Sequence, residues 1–178
     1  MYVVDFLRSR RVRFETFLHQ PTSSAARLAG SAHVPGRSVA KTVVFRTGEA
    51  FILAVLPATS RVNVDQLAAA LRLDRASVRL ATAAEIDQIF HDCEPGTIPP
   101  FGGLYGLRTA VDVSLVEAGT MVCRTNARHR GVRMAFCDYE RMEEPIRAKF
   151  GEPISPRTVR RHRQVGQGDE ARHDAGQR

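Results

Sequence analysis

A mixed α/β (α+β) domain is the fold class that the sequence predicts, and three observations carry it. Helical and strand-like spacings follow one another without the repeating strand–helix rhythm of a doubly wound sheet. A tight hairpin over residues 39–56 excludes an all-parallel sheet. The glycine fingerprint of a dinucleotide-binding unit and the Walker lysine loop are both absent, so a nucleotide-binding fold has no support.

The elements follow in order. Residues 3–12 have helical spacing, with Val3, Phe6 and Leu7 on one side and Arg8, Arg10 and Arg11 on the other. Residues 13–18 read as a short strand, broken by His19-Gln20-Pro21. Thr22 is the expected cap of a small-residue helix over 23–32, which Val34-Pro35-Gly36 ends. The β-rich runs 39–45 and 50–56 flank a turn at Thr47-Gly48-Glu49, and Pro57 stops the second strand. Asn63, with Gln66 three residues on, opens a helix over 64–71; residues 78–81 make a short strand. Thr82 and Glu85 form a capping box for a helix ending near Phe90.

Residues 91–106 contain Pro95, Gly96, Pro99, Pro100, Gly102, Gly103 and Gly106, which predicts a long irregular loop. Strands are expected over 109–113, 120–124 and 132–136. Asp138 is expected to cap a short helix, and residues 145–150 to form another. Beyond Gly151 apolar residues thin out, and residues 155–178 carry six arginines among Gln, Gly and Asp. The predicted organisation is therefore one domain over 1–150 and a basic, disordered tail over 151–178. The tail reads first as a solvated end, with contact to phosphates as the alternative.

Of the 178 residues, 43% are hydrophobic and 25% charged, enough for one real core. No run approaches the roughly 18–20 apolar residues of a membrane span. The start, Met1-Tyr2-Val3-Val4-Asp5, lacks the order of a secretory signal, so a cytoplasmic protein without a membrane partner is expected. Cys93, Cys123 and Cys137 are odd in number and widely spaced, which argues against disulfides or zinc; Cys93 stands out by its place in the breaker-rich loop. None of the six histidines forms an HxxxH or HExxH pair, so neither metal nor cofactor is expected.

The net charge of +7 and pI near 10.1 suit a polyanion partner, or simply a basic tail. Of the 26 basic residues, 24 are arginine; Lys41 and Lys149 are the exceptions. Lys149 falls in the expected C-terminal helix and reads as incidental. Lys41 shares a strand face with Val39 and Val43, at the rim of an apolar surface, where it is either a snorkelling lysine or a functional one. No GxSxG elbow or Ser-His-Asp order appears, so chemistry must rest on positioning and backbone dipoles. The loop Glu94-Pro95-Gly96-Thr97-Ile98-Pro99-Pro100-Phe101-Gly102 is either a structural crossover or a presenter of amides to a carbonyl oxygen, as ester hydrolysis requires.

Val39-Ala40-Lys41-Thr42-Val43-Val44, then Gly96-Thr97-Ile98-Pro99-Pro100-Phe101-Gly102 about 55 residues later, resemble the YbaK / prolyl-tRNA synthetase-associated editing domain. The resemblance continues through Val111-Asp112-Val113-Ser114-Leu115, Ala127-Arg128-His129 and Asp138-Tyr139-Glu140-Arg141-Met142, covering residues 1–150. It implies a YbaK-like single domain, with a mixed or barrel-like sheet and surrounding helices. It also implies a metal-independent aminoacyl-tRNA deacylase that removes a small misattached amino acid (Ala, Cys, Ser or Thr) in trans. Aminoacyl-tRNA is the implied partner, with an aminoacyl-tRNA synthetase as a further one. A catalytically inactive tRNA- or synthetase-binding module is the alternative. On the family pattern Lys41, Gly96 and Gly102 are the catalytic candidates. Thr42, Ile98, Pro99, Pro100, Phe101 and His129 are the substrate-binding ones. Ala127 stands where many members have glycine before the histidine.

Overall fold

The computed structural model describes residues 2–21 and 24–154. The basic tail expected over 151–178 lies, from residue 155 on, outside the described residues. In chain order the elements are α1 (Val3–Ser9), β1 (Phe14–Leu18), α2 (Ala25–Ser31), β2 (Ala40–Thr47), β3 (Ala50–Pro57), β4 (Ser60–Val62), α3 (Val64–Leu71), β5 (Val78–Leu80) and α4 (Ala83–Ile89), then β6 (Arg108–Asp112), α5 (Val113–Val116), β7 (Thr120–Arg124), β8 (Arg130–Ala135), α6 (Phe136–Glu143), β9 (Ile146–Ala148) and β10 (Gly151–Pro153).

The hairpin forms as its sequence dictates. Gly48 takes φ +66° in the turn, and β2 and β3 pair antiparallel from Ala40↔Pro57 to Thr47↔Ala50. It is the centre of a mixed five-stranded sheet, order β5-β2-β3-β6-β9, in which β3–β6 and β6–β9 are parallel. A second, antiparallel sheet has order β1-β8-β7, and β4 pairs with β10. A single parallel bridge, Val39↔Val122, joins β2's edge to β7 and so links the two larger sheets.

The main core fills the space between these sheets and α1, α5 and α6, with Leu7, Leu53, Phe101, Val111, Met121 and Tyr139 fully buried. A second core lies under α3 on the opposite face of the five-stranded sheet, around Phe45, Leu56, Leu67 and Phe150. A third packs α2 over the Val39–Val122 junction through Leu28 and Ala29.

Four expectations are corrected. Ser24, not Thr22, caps α2, its hydroxyl accepting from the Arg27 amide; Thr22 lies outside the described residues. Asp138 does not cap α6, which starts at Phe136 from Ala135; it sits in the first turn and pairs with Arg141. Residues 145–150 are not a helix, because Ile146–Ala148 pairs in parallel with Ala110–Asp112, a long-range partner that overrides the local pattern. Lys149 therefore sits between two strands. Residues 113–116, read partly as strand, form α5, capped by Asp112 accepting from the Ser114 amide.

Candidate active site

Lys41 is the second residue of β2, and the Val39↔Val122 bridge decides what stands beside it. Two residues on from each bridge partner come Lys41 and Arg124, on adjacent parallel segments. Because side chains repeat every second residue in a strand, both lie on the face that Val39 and Val122 occupy. There they line a cavity of about 270 Å³ with Thr42, Gly96 and Ile98, under Ala25 and Ala40.

The loop reaches this cavity because the 124–128 segment holds it. Gly96, at φ +79°, places its carbonyl where Arg124 Nη1 donates to it at 2.7 Å. The Arg128 amide donates to Glu94 Oε2 (2.7 Å) and its Nε to the Pro95 carbonyl (3.0 Å). The Asn126 carbonyl accepts from the Glu94 amide (2.9 Å) and the Thr97 hydroxyl (2.8 Å). Among the described residues, the Gly96 and Ile98 amides have no intramolecular acceptor.

The cavity is electrostatically one-sided. Lys41 has no ion-pair or hydrogen-bond partner among the described residues, and burial pulls its ammonium pKa down from the ordinary 10.5. Arg124 is only 8% exposed; burial, and then the nearby Arg128, pull its pKa down too. A guanidinium stays charged regardless. Among the described residues, Arg124 Nε and Nη2 and the Thr42 hydroxyl are buried without a partner, and no carboxylate lines the cavity.

Of the other expected site residues, Pro99, Pro100, Phe101 and Gly102 are buried and do not line this cavity. Phe101 stacks in the core against Phe6 and Tyr139. The Pro100 carbonyl accepts from the Tyr139 hydroxyl at 2.9 Å. The Gly102 and Gly103 amides face the buried Glu143 carboxylate, which also accepts from Thr109 at 2.6 Å. These residues hold the loop's far end rather than border the cavity. His129 is exposed and lines a separate groove of about 680 Å³ between α1, β1 and residues 125–130.

Cys93 contacts Tyr105 Oη (3.2 Å) and Asn126 Nδ2 (3.4 Å), within a cluster completed by Asp92. Burial pushes its thiol up to about 11, so it is not a thiolate nucleophile at neutral pH. Asn126 turns its side-chain oxygen to the Val3 amide (2.8 Å), tying α1 to the same segment. Among the described residues, no group of His, Cys, Asp or Glu could hold a metal ion, and no helix is long and apolar enough to cross a membrane.

Arg124 is the site residue that sequence reasoning missed. Its signal was present: an arginine closing the otherwise apolar run Met121-Val122-Cys123 is a charge where the strand is buried.

Residues 19–142 match a family described as the aminoacyl-tRNA editing domain. No curated protein matches the chain. Among solved structures, a hypothetical protein is similar at TM-score 0.76 and 18% identity, over 84% of this chain and 99% of that one. A proposed trans-editing enzyme for prolyl tRNA synthetase is similar at TM-score 0.74 and 16% identity, over 84% and 94%. A scaffold from computational epitope grafting is similar at 0.74 and 14% identity, over 84% and 95%. The mixed α/β fold is thus shared across nearly the whole of each of these structures.

Proposed function

The chain belongs to the aminoacyl-tRNA editing domain family, and on that premise we propose that it is a trans-acting deacylase for tRNA misacylated with a small amino acid. The observation that carries the reading is the convergence of Lys41, Thr42, Gly96 and Ile98, from two distant parts of the sequence, on one cavity inside the family's domain. A protein of the same fold is described as a proposed trans-editing enzyme for prolyl tRNA synthetase, which supports action in trans.

In this reading Lys41 holds the negatively charged 3′ end by a charge-assisted contact. The Gly96 amide, which has no internal acceptor, receives the oxyanion that develops on the ester carbonyl. Gly102 cannot share that role, since its amide faces Glu143. A water oxygen attacks the carbonyl carbon, the bond to the ribose oxygen breaks, and the water's proton passes to that oxygen. The products are a free amino acid and a tRNA with its terminal hydroxyls restored. Among the described residues no carboxylate or imidazole lines the cavity to act as base, so a neighbouring ribose hydroxyl orients the water. An activated ester needs modest help: one oxyanion donor contributes about 10²–10³ in rate. Selection among amino acids then rests on the space left for the acyl group beside Gly96, which admits small side chains and excludes larger ones.

The test is a deacylation time course on tRNAs charged with alanine, cysteine, serine, threonine and proline, with Lys41→Ala alongside. Rapid loss of one misacylated species, abolished by the substitution, is expected. Tight tRNA binding with no release from any species would instead favour the inactive binding module.

A further inference from the structure

Arg124 carries a role that the lysine alone does not explain. Its guanidinium is planar, and Nη1 is fixed by the Gly96 carbonyl at 2.7 Å. The remaining edge, Nε with Nη2, presents two parallel N–H groups. That geometry matches two oxygens of a phosphate or carboxylate. Both atoms are sealed from solvent and find no acceptor among the described residues. A buried donor without a partner costs stability, and native proteins keep few of them. The Thr42 hydroxyl, on the same cavity wall, is a third.

Glu94, the carboxylate of the 94–102 loop, accepts from the Arg128 amide and does not line the cavity. Lys41 and Arg124 therefore face one small space with no internal counter-charge.

We propose that Arg124, with Lys41 and Thr42, forms a pocket for an oxyanion group that, once its guanidinium edge is uncovered, grips the phosphodiester on the 5′ side of the terminal nucleotide. The inference rests on the reading of this cavity as the site that holds the charged tRNA end. Charge selects the phosphodiester over the acyl group. An aminoacyl ester carries a free α-ammonium, which two adjacent cations repel. The amino end must therefore point away from Lys41 and Arg124. The same contact that anchors the Gly96 carbonyl couples phosphate grip to loop position, so Arg124 is a positioning residue for the reaction.

The experiment is calorimetric titration of the full chain with the 5′-methyl ester of AMP, which has the singly charged phosphodiester of a nucleic acid, and with adenosine. Wild type is expected to prefer the phosphodiester about tenfold or more, the size of one charge-assisted bidentate contact. Arg124→Gln should bring the two affinities together. Arg124→Lys should fall between, and Thr42→Val should lower the preference by a few fold. Equal affinities in wild type, or an unchanged preference in folded Arg124→Gln, would overturn the proposal. Should Arg124→Gln not fold, the wild-type preference and the Lys and Val variants decide it. Acetate is the carboxylate probe: an Arg124-dependent rise in melting temperature with acetate but not with the phosphodiester would assign a substrate carboxylate and overturn the phosphodiester assignment. These arms need no ester hydrolysis. A chain that prefers the phosphodiester but releases no amino acid would sink the deacylase reading alone; an active deacylase with equal affinities would sink this one alone.

Discussion

Lys41 shows how burial sets a working pH range. Its ammonium pKa is lowered by desolvation, so the folded protein releases that proton below the ordinary lysine value of 10.5. For stability, a depressed lysine makes the charged form costly at neutral pH; the cost begins to fall as pH rises past the folded pKa and is gone only above the unfolded value of 10.5. Function runs the other way, since the phosphate grip needs the charge. Affinity for the methyl ester of AMP is expected to fall along an alkaline limb centred below pH 10.5, and Lys41→Gln should remove that limb; titrations at stepped pH would show it. Gly102 illustrates the opposite case, a residue whose place in a conspicuous loop suggested chemistry. A Cβ there would run into the Thr109 hydroxyl and lie 2.6 Å from the Leu107 carbonyl. Gly102→Ala is thus expected to cost about 1–3 kcal/mol in urea denaturation, the range of overpacked sites. A slowed deacylation at unchanged stability would return Gly102 to the mechanism.

Elements whose signals are local were legible, and those settled by distant partners were not. The hairpin, the Asn63 cap of α3 and the capping box of α4 all form where the residues place them. In the last, Thr82 accepts from the Glu85 amide while Glu85 accepts from the Thr82 amide, and Arg79 and Arg46 pair with the same carboxylate. Thr82→Ala should cost about 1 kcal/mol, read from the urea midpoint. The Arg79 hydrogen bond, then the Thr82 amide and Arg46, hold Glu85 well below the usual carboxylate range. A depressed carboxylate stabilises above its unfolded value of about 4.5 and loses that contribution as pH falls below it. The stability gap between wild type and Glu85→Gln is therefore expected to narrow steadily below about pH 4.5, measured by thermal melts from pH 7 to pH 2. By contrast, β9 has an ordinary local sequence and becomes a strand only beside β6. Arg124 was marked locally as a charge closing an apolar strand, but what it faces is set by the Val39↔Val122 bridge, which nothing between residues 39 and 122 announces. The same holds for Lys41: its rarity among basic residues was readable, its neighbour was not.

The whole molecule raises the question of where the domain ends, and the geometry around residue 150 makes it testable. We propose a boundary after Ile154 rather than after Phe150. Beyond Phe150, β10 pairs with β4, and Gly151 donates its amide to Asp112 Oδ2 at 2.6 Å beside the Phe150 amide at 2.8 Å. Burial alone would raise the Asp112 pKa, but hydrogen bonds from Ser114, Phe150 and Gly151 outweigh it and leave the group depressed. Glu152 binds Asn63 (2.6 Å) and Arg61 (3.1 Å), and Asn63 is the residue that caps α3 and donates its own amide to the Phe150 carbonyl. A chain cut after Phe150 would lose the contacts of Gly151 and Glu152 and the β4–β10 pairing, and would set a new terminal carboxylate close to the buried Asp112. Hydrogen bonds to charged groups contribute about 1.5–3 kcal/mol each, so this truncation should lower stability by at least about 2 kcal/mol. A cut after Ile154 should leave the urea midpoint unchanged. It should also leave the phosphodiester preference intact, because Lys41, Thr42 and Arg124 lie on β2 and β7, which the cut does not remove. Removal of residues 155–178 takes away six arginines against three acids. A loss of whole-tRNA affinity on that cut, with a shallower salt dependence and the same affinity for the AMP ester, would assign the tail to the tRNA body. Unchanged tRNA affinity would leave it a solvated end, the outcome expected from its low apolar content.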